Sequence, residues 1–377
     1  MFGVLLVTGW MSHQESYALG FRADPRCRII GVADETGVDP RRAALNRRLA
    51  EELSVPLFPD LDQALGRPDV HIASVCTEHE RQGRLAIRCA SAAKHVYLDK
   101  PIAGSLGEAR ELEQAVRRAG VRSQMFTTLN LPPAIRARRA VDSGLLGELA
   151  AIHCDLHFAK GRAGAATLGS PRKEEAAPQR FLYPDAKREM FNVAVYSLAL
   201  IRWLARREIR SVRAVTANYF FAENQRRGFE DFGVLALELE GALTATITAG
   251  RTGWSSHAGP GHNLTRLFGS RGSLLIDAFE ARGEIASDRQ SWKLPKHNPE
   301  DPMGFWRSTD QSKRGAPEWF LSAPPVRSDQ SLFLDAIEQG REPEVNVAAG
   351  LAVLEALMAA YRSAATGRVI ALPLGSA

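Results

Sequence analysis

The first 126 residues alternate short apolar runs with longer amphipathic segments, and this alternation restricts the fold more than any other feature of the chain. The amphipathic segments are typical of helices, and one begins with a capping box in which Ser105 precedes Glu108 by three positions. Short strands that alternate with longer helices form βαβ units around a parallel sheet. We therefore predict a parallel sheet with strands at residues 4–7, 28–33, 70–76, 95–98 and 121–126.

The pattern changes after about residue 130. Strands with intervening turn signals dominate residues 209–287, which predicts a largely antiparallel sheet. Two stretches, 160–187 and 292–325, have no regular period, and the first is expected to be a long loop. Helical patterns follow at 329–339 and 348–366.

A chain of 377 residues is long enough for roughly two domains that each bury a core. The predicted fold class is α/β, with an N-terminal parallel sheet and a C-terminal α+β domain whose sheet is largely antiparallel. We expect the first domain at residues 1–127 and the second at 128–377, with the final helices able to pack back on the first domain.

Composition argues against several functional classes. The net charge is +5 and the arginine pairs are scattered, whereas a nucleic-acid groove concentrates basic residues, so we expect no nucleic-acid partner. The apolar start is too short to span a bilayer, and we expect no membrane partner. The four cysteines have no CxxC spacing, which fits a reducing compartment such as the cytoplasm. No cluster of histidine, cysteine and carboxylate residues has metal-ligand spacing, so no metal site is predicted.

A charged pair, Asp99 and Lys100, follows the apolar run at 95–98 and precedes Pro101. Proline lacks a backbone N–H and disfavours helical geometry in its predecessor, so the strand ends here. Ligands of open parallel sheets bind beyond the carboxyl ends of the strands. Lys100 is therefore a candidate acid, base or oxyanion partner, and the alternative is a solvated ion pair in a loop.

The stretches 77–82 and 94–103 resemble the signatures of the Gfo/Idh/MocA oxidoreductases, in which a Thr-Pro-Asn loop is followed by a helix, a Gly-Lys-His-Val strand and Glu-Lys-Pro. The turns at 142–147, 268–273 and 367–373 are also similar to turns of that family. Asp99 takes the place of the glutamate in Glu-Lys-Pro.

The resemblance implies a Rossmann-type first domain and an NAD(P)-dependent oxidoreductase that transfers hydride between nicotinamide and a hydroxyl or keto carbon of a sugar or cyclitol-like substrate. Two alternatives stay open. One is a redox-neutral enzyme that retains NAD and cleaves a glycoside, and the other is a catalytically inactive member that binds a ligand. We also expect a homodimer or homotetramer, since an exposed face of the second sheet would normally be covered.

The glycine-rich dinucleotide loop is depleted. Gly9 stands alone, and Met11 and Gln14 take the other two glycine positions of G-x-G-x-x-G counted from it. Asp34 closes the second strand, where a carboxylate accepts hydrogen bonds from the adenosine ribose and disfavours a 2′-phosphate. We therefore expect NAD rather than NADP, and the alternative for Asp34 is a helix-capping carboxylate. The expected cofactor contacts are Gly9, Trp10, Met11, Asp34, Thr77, His79, Asp99 and Lys100.

The second domain is expected to supply the remaining site residues. Asn192 and Tyr196 take the places of the aspartate and histidine in the family pattern Asp-x-Gly-x-His. We assign the proton transfer to Tyr196 and the polarising of the substrate oxygen to Lys100, and the reverse assignment stays open. Asn192 and Asp99 are expected to bind substrate. The alternative for Tyr196 is an aromatic residue on the apolar face of its helix.

Overall fold

The apolar runs of the N-terminal half form one parallel sheet of six strands, in the order β3-β2-β1-β4-β5-β6. The structure is a computed structural model that describes residues 1–9, 13–159, 177–181, 188–253, 260–279, 282–287 and 326–375. The strands of this first sheet are β1 (Phe2–Val7), β2 (Cys27–Ala33), β3 (Leu57–Phe58), β4 (Ile72–Val75), β5 (His95–Leu98) and β6 (Ser123–Met125).

Helices cover both faces of the first sheet, which explains its nearly continuous apolar runs. In β1, Val4 and Leu6 pack on one face with Phe21, whereas Leu5 and Val7 pack on the other. The helices of this half are α1 (Gln14–Arg22), α2 (Pro40–Leu53), α3 (Leu61–Leu65), α4 (His79–Ser91) and α5 (Leu106–Ala119).

Local signals set the ends of these helices. Asp39 caps α2 by accepting a hydrogen bond from the Arg41 amide, and Pro40 follows at the first helical position. The predicted N-cap of α5 is present, because the Ser105 hydroxyl accepts a hydrogen bond from the Glu108 amide at 3.3 Å. The helix ends at Gly120, whose φ of 65° is in the left-handed region that glycine favours.

The second sheet has eight strands in the order β13-β12-β11-β7-β10-β9-β8-β14, and β7 and β10 form its one parallel pair among the described strands. The predicted α/β class with a largely antiparallel second sheet is therefore confirmed. The strands are β7 (Leu149–Phe158), β8 (Ile209–Ala217), β9 (Phe232–Leu239), β10 (Thr244–Arg251), β11 (Gly261–Gly269), β12 (Gly272–Asp277), β13 (Arg282–Ser287) and β14 (Ile370–Ala371).

Two long helices cover one face of the second sheet and join it to the first half of the chain. These are α7, against β7 and β10, and α10, which contacts β8, α7 and α5. The shorter helix α9 packs on α1 beside the first sheet, so residues from the end of the chain complete the first core. The helices are α6 (Pro132–Asp142), α7 (Glu189–Ala205), α8 (Ala222–Arg227), α9 (Asp329–Glu338) and α10 (Val347–Thr366).

The domain boundary between residues 127 and 128 stays a prediction, and most of the two irregular stretches at 160–187 and 292–325 lies outside the described residues. Among the described helices, α10 is long and apolar enough to cross a bilayer, but 61% of its most apolar window is buried inside the protein. An apolar helix buried in this way is typical of a protein core.

Candidate active site and cofactor groove

Lys100 lies at the carboxyl edge of the first sheet, two residues after the end of β5. Its side chain is 7% exposed, and Nζ donates a hydrogen bond to the backbone carbonyl of Asn192 at 2.8 Å. Asn192 is in the first turn of α7, so this contact joins the edge of the first sheet to the helix on the second sheet.

Tyr196 lies one turn further along α7 and is close to Lys100. The Lys100 ammonium is 5.0 Å from the centroid of the Tyr196 ring, within the range of a cation–π interaction. The two residues predicted to be catalytic are therefore neighbours, and the ammonium faces the ring. Burial raises the pKa of Tyr196 above its ordinary value, and the negative charge of Asp99 adds to that effect. The phenol is therefore neutral near pH 7.

Asp99 contacts α1 and the residue after β4. Its carboxylate accepts hydrogen bonds from the Tyr17 hydroxyl at 2.6 Å and the Cys76 thiol at 3.5 Å, and it lies 3.0 Å from His13 Nδ1. Burial alone would raise the pKa of Asp99, but the hydrogen bond and charge of His13 and the charge of Lys100 outweigh it and hold that pKa below its usual range.

Sequence reasoning did not assign His13 or Tyr17 to the site. Both follow the depleted glycine loop at the start of α1, and no local pattern links them to Asp99, which is 86 positions from His13 and 82 from Tyr17. Only the packing of α1 against the edge of β5 brings them together.

The Asn192 side chain is largely occupied by its own helix. Its Nδ2 donates to the backbone carbonyl of Arg188 at 2.9 Å, and the residue is 9% exposed. Asn192 therefore contacts Lys100 through the backbone carbonyl of Asn192, and its side-chain amide bonds within α7.

A cleft of about 540 Å³ opens beside Tyr196, between α7, the start of α1 and the segment after β6. This volume suits a small organic ligand. Aromatic and small polar side chains line it together, including His13, Tyr17, Phe126, Thr127, Tyr196, Ser197, Asn263 and Asp329. The cleft therefore offers a place for a small molecule next to the predicted catalytic residues.

Gly9 follows β1 where α2 approaches closely. A Cβ at this position would lie 2.7 Å from the Asn46 Cα, which is too short for a non-bonded contact, so the site requires glycine. The neighbouring Thr8 has a φ of 68°, a conformation that non-glycine residues seldom adopt. The predicted cofactor contacts Trp10 and Met11 lie outside the described residues.

Gln14, in the third glycine position counted from Gly9, is fully buried. Its Nε2 donates to the backbone carbonyls of Val7 at 3.0 Å and Ser74 at 2.7 Å, and its Oε1 accepts from the Ser74 hydroxyl. The side chain therefore links the carboxyl ends of β1 and β4.

Asp34 follows β2 at the same edge and is 5% exposed. It accepts a hydrogen bond from Asn46 Nδ2 at 2.8 Å and from the Glu35 amide at 2.8 Å, and it forms an ion pair with Arg81. Sequence reasoning did not foresee the Arg81 pair, because the two residues are 47 positions apart.

Thr77 and His79 lie near the carboxyl edge of the first sheet, and their contacts are with α4 and α7. The Thr77 amide donates to Gln82 Oε1 at 3.0 Å, and the His79 ring meets the Phe191 ring edge-on with centroids 5.0 Å apart. His79 therefore packs against α7, which places it on the side of the second domain.

A charged groove of about 1050 Å³ runs between α2 and α4. The residues that line it are Glu35, Thr36, Gly37, Val38, Asp39, Arg41, Arg42, Leu45, Glu78, Glu80, Arg81, Arg84 and Arg88. Burial alone would raise the pKa of Glu78, but a hydrogen bond from Thr77 and the charge of Arg42 lower it to about 2, so this carboxylate is ionised at neutral pH.

The residues at this edge fit the adenosine half of a dinucleotide. Asn46 Oδ1 is buried and has no hydrogen-bond partner among the described residues, although the same amide donates to Asp34. A buried acceptor without a partner costs free energy, and a ribose hydroxyl would satisfy it. Asp34 and Asn46 would thus hold the ribose of a bound dinucleotide. No group of three potential metal ligands occurs within the described ranges.

Two family models match the chain. The one described as "Oxidoreductase family, NAD-binding Rossmann fold" matches residues 6–127, and the one described as "GFO/IDH/MocA C-terminal domain" matches residues 134–275. Together they span most of the chain. The predictions of the family, its oxidoreductase class and NAD as its cofactor are confirmed.

Individual relatives are more distant. An uncharacterized oxidoreductase, YhhX, of Escherichia coli is 31% identical over 26% of this chain and 28% of its own length. Levoglucosan dehydrogenase of Pseudarthrobacter phenanthrenivorans is 19% identical over 63% of this chain and 64% of its own length. The chain thus aligns with less than two thirds of either relative.

Solved structures show the same fold over the full chain. Levoglucosan dehydrogenase in complex with NADH and levoglucosan has a TM-score of 0.73 at 18% identity and covers 99% of this chain and 100% of its own. GenD2 from gentamicin A biosynthesis in complex with NAD has a TM-score of 0.66 at 23% identity and covers 99% and 97%. With both of its domains matched, the chain belongs to the Gfo/Idh/MocA oxidoreductase family.

Proposed function

We propose that the chain is an NAD-dependent oxidoreductase that interconverts a hydroxyl and a keto carbon on a small sugar- or cyclitol-like molecule. The main support is the pairing of Lys100 with Tyr196 beside a cleft of ligand size. Relatives with the printed names levoglucosan dehydrogenase, D-xylose dehydrogenase and scyllo-inositol 2-dehydrogenase favour this substrate class. A bound nicotinamide would supply the hydride acceptor or donor.

Lys100 is the better candidate for the proton transfer. Oxidation of an alcohol needs a base for the hydroxyl proton, and burial together with the charge of Asp99 disfavours the Tyr196 phenolate. In this assignment the neutral amine of Lys100 accepts the hydroxyl proton during oxidation, and the resulting ammonium returns a proton to the carbonyl oxygen during reduction. Tyr196 remains a neutral phenol that orients the substrate and packs its ring on Nζ. The raised pKa of Tyr196 thus favours the reverse of the assignment expected from the sequence.

A turnover screen tests this function. Purified protein is mixed with NAD and a panel of aldoses, anhydrosugars and inositols, and NADH formation is followed by absorbance. Replacing a positioned acid–base group lowers kcat by roughly 100- to 10,000-fold, so Lys100→Ala should lose at least about 100-fold in kcat. The matched control is Lys94→Ala. Lys94 lies just before the start of β5, and its Nζ donates a hydrogen bond to the Val70 carbonyl.

Other results would favour other functions. Full activity in Lys100→Ala would refute the assignment of Lys100. Product without net NADH would indicate the redox-neutral, NAD-retaining reaction. Binding of NAD without turnover on any substrate would favour a ligand-binding member of the family.

We further propose that the protein self-associates as a homodimer or homotetramer through the face of the second sheet that no described helix covers. Three large apolar side chains are exposed on β8, β9 and β11 in that sheet: Val215 at 62%, Val234 at 39% and Phe268 at 37%. Exposed apolar groups on a broad sheet are typical of an interface between subunits.

We also propose a cytoplasmic location. All four cysteines are free thiols, and Cys76, Cys89 and Cys154 are buried. Buried free thiols persist most readily in a reducing compartment.

A further inference from the structure

Arg81 separates Asp34 from the charged groove between α2 and α4. Arg81 is among the residues that line this groove, whereas Asp34 is not, although Asp34 is the residue expected to contact the adenosine ribose. A ribose substituent that enters the groove therefore meets the guanidinium of Arg81 before it meets the carboxylate.

The Asp34 carboxylate already has partners on both oxygens. Oδ1 accepts from the Glu35 amide and from Arg81, and Oδ2 accepts from Asn46 Nδ2 at 2.8 Å. Its negative charge is compensated by the guanidinium, so it repels an incoming anion less than an unpaired carboxylate would.

Arg81 can change partner at low cost in free energy, because the two glutamates that it contacts besides Asp34 are each paired with another arginine. Arg81 lies 3.2 Å from Glu35 and 3.1 Å from Glu78. Glu35 is also 2.6 Å from an Arg84 nitrogen, and Glu78 pairs with Arg42. If Arg81 turned toward a ligand, both glutamates would stay paired, and Asp34 would keep its bonds to Asn46 and the Glu35 amide.

An arginine near the acidic residue at the end of the second strand accommodates the 2′-phosphate of NADP in Rossmann folds, whereas an unpaired carboxylate accepts the ribose hydroxyl of NAD. The guanidinium fork matches phosphate oxygens in a bidentate geometry. We propose that Arg81 determines the tolerance for the 2′ substituent, so that this chain binds NADP as well as NAD. This inference rests on the proposed use of a dinucleotide and concerns only the 2′ position.

The test is isothermal titration calorimetry of NAD and of NADP to the full chain and to Arg81→Gln. The wild-type dissociation constants should differ by less than about tenfold. In Arg81→Gln the affinity for NADP should fall by roughly 10- to 100-fold, as expected for loss of a charged hydrogen bond, while NAD binds at least as tightly because Asp34 is released. Arg81→Lys, which keeps the charge, should recover part of the NADP affinity.

Arg48→Gln is the control, because it removes the same charge from the exposed surface of α2, where Arg48 pairs with Glu52. The ratio of the two dissociation constants should stay within about threefold of wild type. Thermal unfolding of each variant confirms that it is folded. If Arg81→Gln does not fold, Arg81→Lys tests the inference instead, and its affinity for NADP should then be lower than that of wild type.

The inference is wrong if wild type prefers NAD by more than about tenfold, or if folded Arg81→Gln keeps the wild-type ratio. In either case, reduction of NAD with a substrate would leave the proposed function intact. Failure of wild type to bind either dinucleotide would refute the inference and the proposed function together.

Discussion

At the scale of single residues, a buried amide replaces a glycine of the dinucleotide loop. Gln14 is fully buried at the start of α1 and donates to the carbonyls of Val7 and Ser74, near the ends of β1 and β4. From the sequence, this position counts only as a lost glycine. In the structure, its hydrogen bonds hold the two strand ends beside which a dinucleotide would lie.

We expect Gln14→Leu to lower the free energy of unfolding by about 3 kcal/mol, because it removes the buried hydrogen bonds to the Val7 and Ser74 carbonyls and the acceptor of the Ser74 hydroxyl. Urea denaturation followed by circular dichroism measures the change. Leu19→Gln, at a site on α1 that is 60% exposed, is the control and should change stability by less than about 0.5 kcal/mol. Equal stability of Gln14→Leu and wild type would contradict this role of the amide.

Asp329 contributes a pH dependence. Burial raises its pKa to about 6 although the Tyr97 hydroxyl donates to its carboxylate at 2.8 Å. The folded pKa is above the unfolded value of 3.8, so the folded protein binds more protons between these pH values. The contribution to stability is therefore full below pH 3.8 and is lost as pH rises through about 6.

Asp329→Asn should remove this dependence. Relative to wild type, the variant should gain up to about 3 kcal/mol between pH 4 and pH 7.5, measured as the difference in unfolding free energy. Asparagine keeps an oxygen that can accept from Tyr97. Parallel pH profiles of the two proteins would show that Asp329 does not titrate in this range.

At the scale of elements, the start of α7 is held by a buried carboxylate outside the helix. Glu230, which is fully buried, lies 3.1 Å from Arg188 and accepts hydrogen bonds from the Met190 amide at 3.2 Å and the Tyr361 hydroxyl at 2.5 Å. These contacts fix the helix turn that presents the Asn192 carbonyl to Lys100.

Glu230→Gln should therefore destabilise the protein by roughly 3 kcal/mol, because the Arg188 guanidinium, which is 14% exposed, loses its charged partner. A displaced α7 should also lower kcat for any substrate found in the screen. Glu238→Gln, at an exposed site on β9, is the control for both measurements. A stable Glu230→Gln with normal kcat would mean that α7 is held by its apolar face alone.

At the scale of the whole molecule, two sheets share helices from distant parts of the chain. One face of the second sheet is covered by α7 and α10, and the opposite face carries the exposed Val215 and Phe268. An oligomer would remove those side chains from water, and apolar surface contributes roughly 25 cal/mol per Å² buried.

The double substitution Val215→Glu with Phe268→Glu should raise the dissociation constant of the oligomer by at least tenfold, since each new carboxylate would be desolvated in the interface. Size-exclusion chromatography with light scattering across a dilution series measures the association. Val326→Glu, at a site that is 66% exposed and outside the second sheet, should leave the mass unchanged. A wild-type protein that is monomeric throughout the series would refute the assembly.

Local patterns predicted much of the fold correctly. The apolar runs became β1, β2, β4, β5 and β6, and Ser105 caps α5 as expected. Very short elements were missed, such as β3 with two residues and α3 with five, because a segment of that length is too short to show a hydrophobic period. Lys100 was correctly placed at the edge of the sheet because Pro101 limits the preceding strand.

By itself, the sequence determined the two sheets, the order of most strands and helices along the chain, and the position of Lys100 after β5. These features depend on apolar periodicity and on proline and capping residues, which act over a few positions. Only the tertiary structure decided that Arg81 forms an ion pair with Asp34, and that Tyr17 and Tyr97 donate hydrogen bonds to Asp99 and Asp329 respectively. These partners are 47, 82 and 232 positions apart, and they meet because helices pack around the sheets at angles that no local pattern encodes.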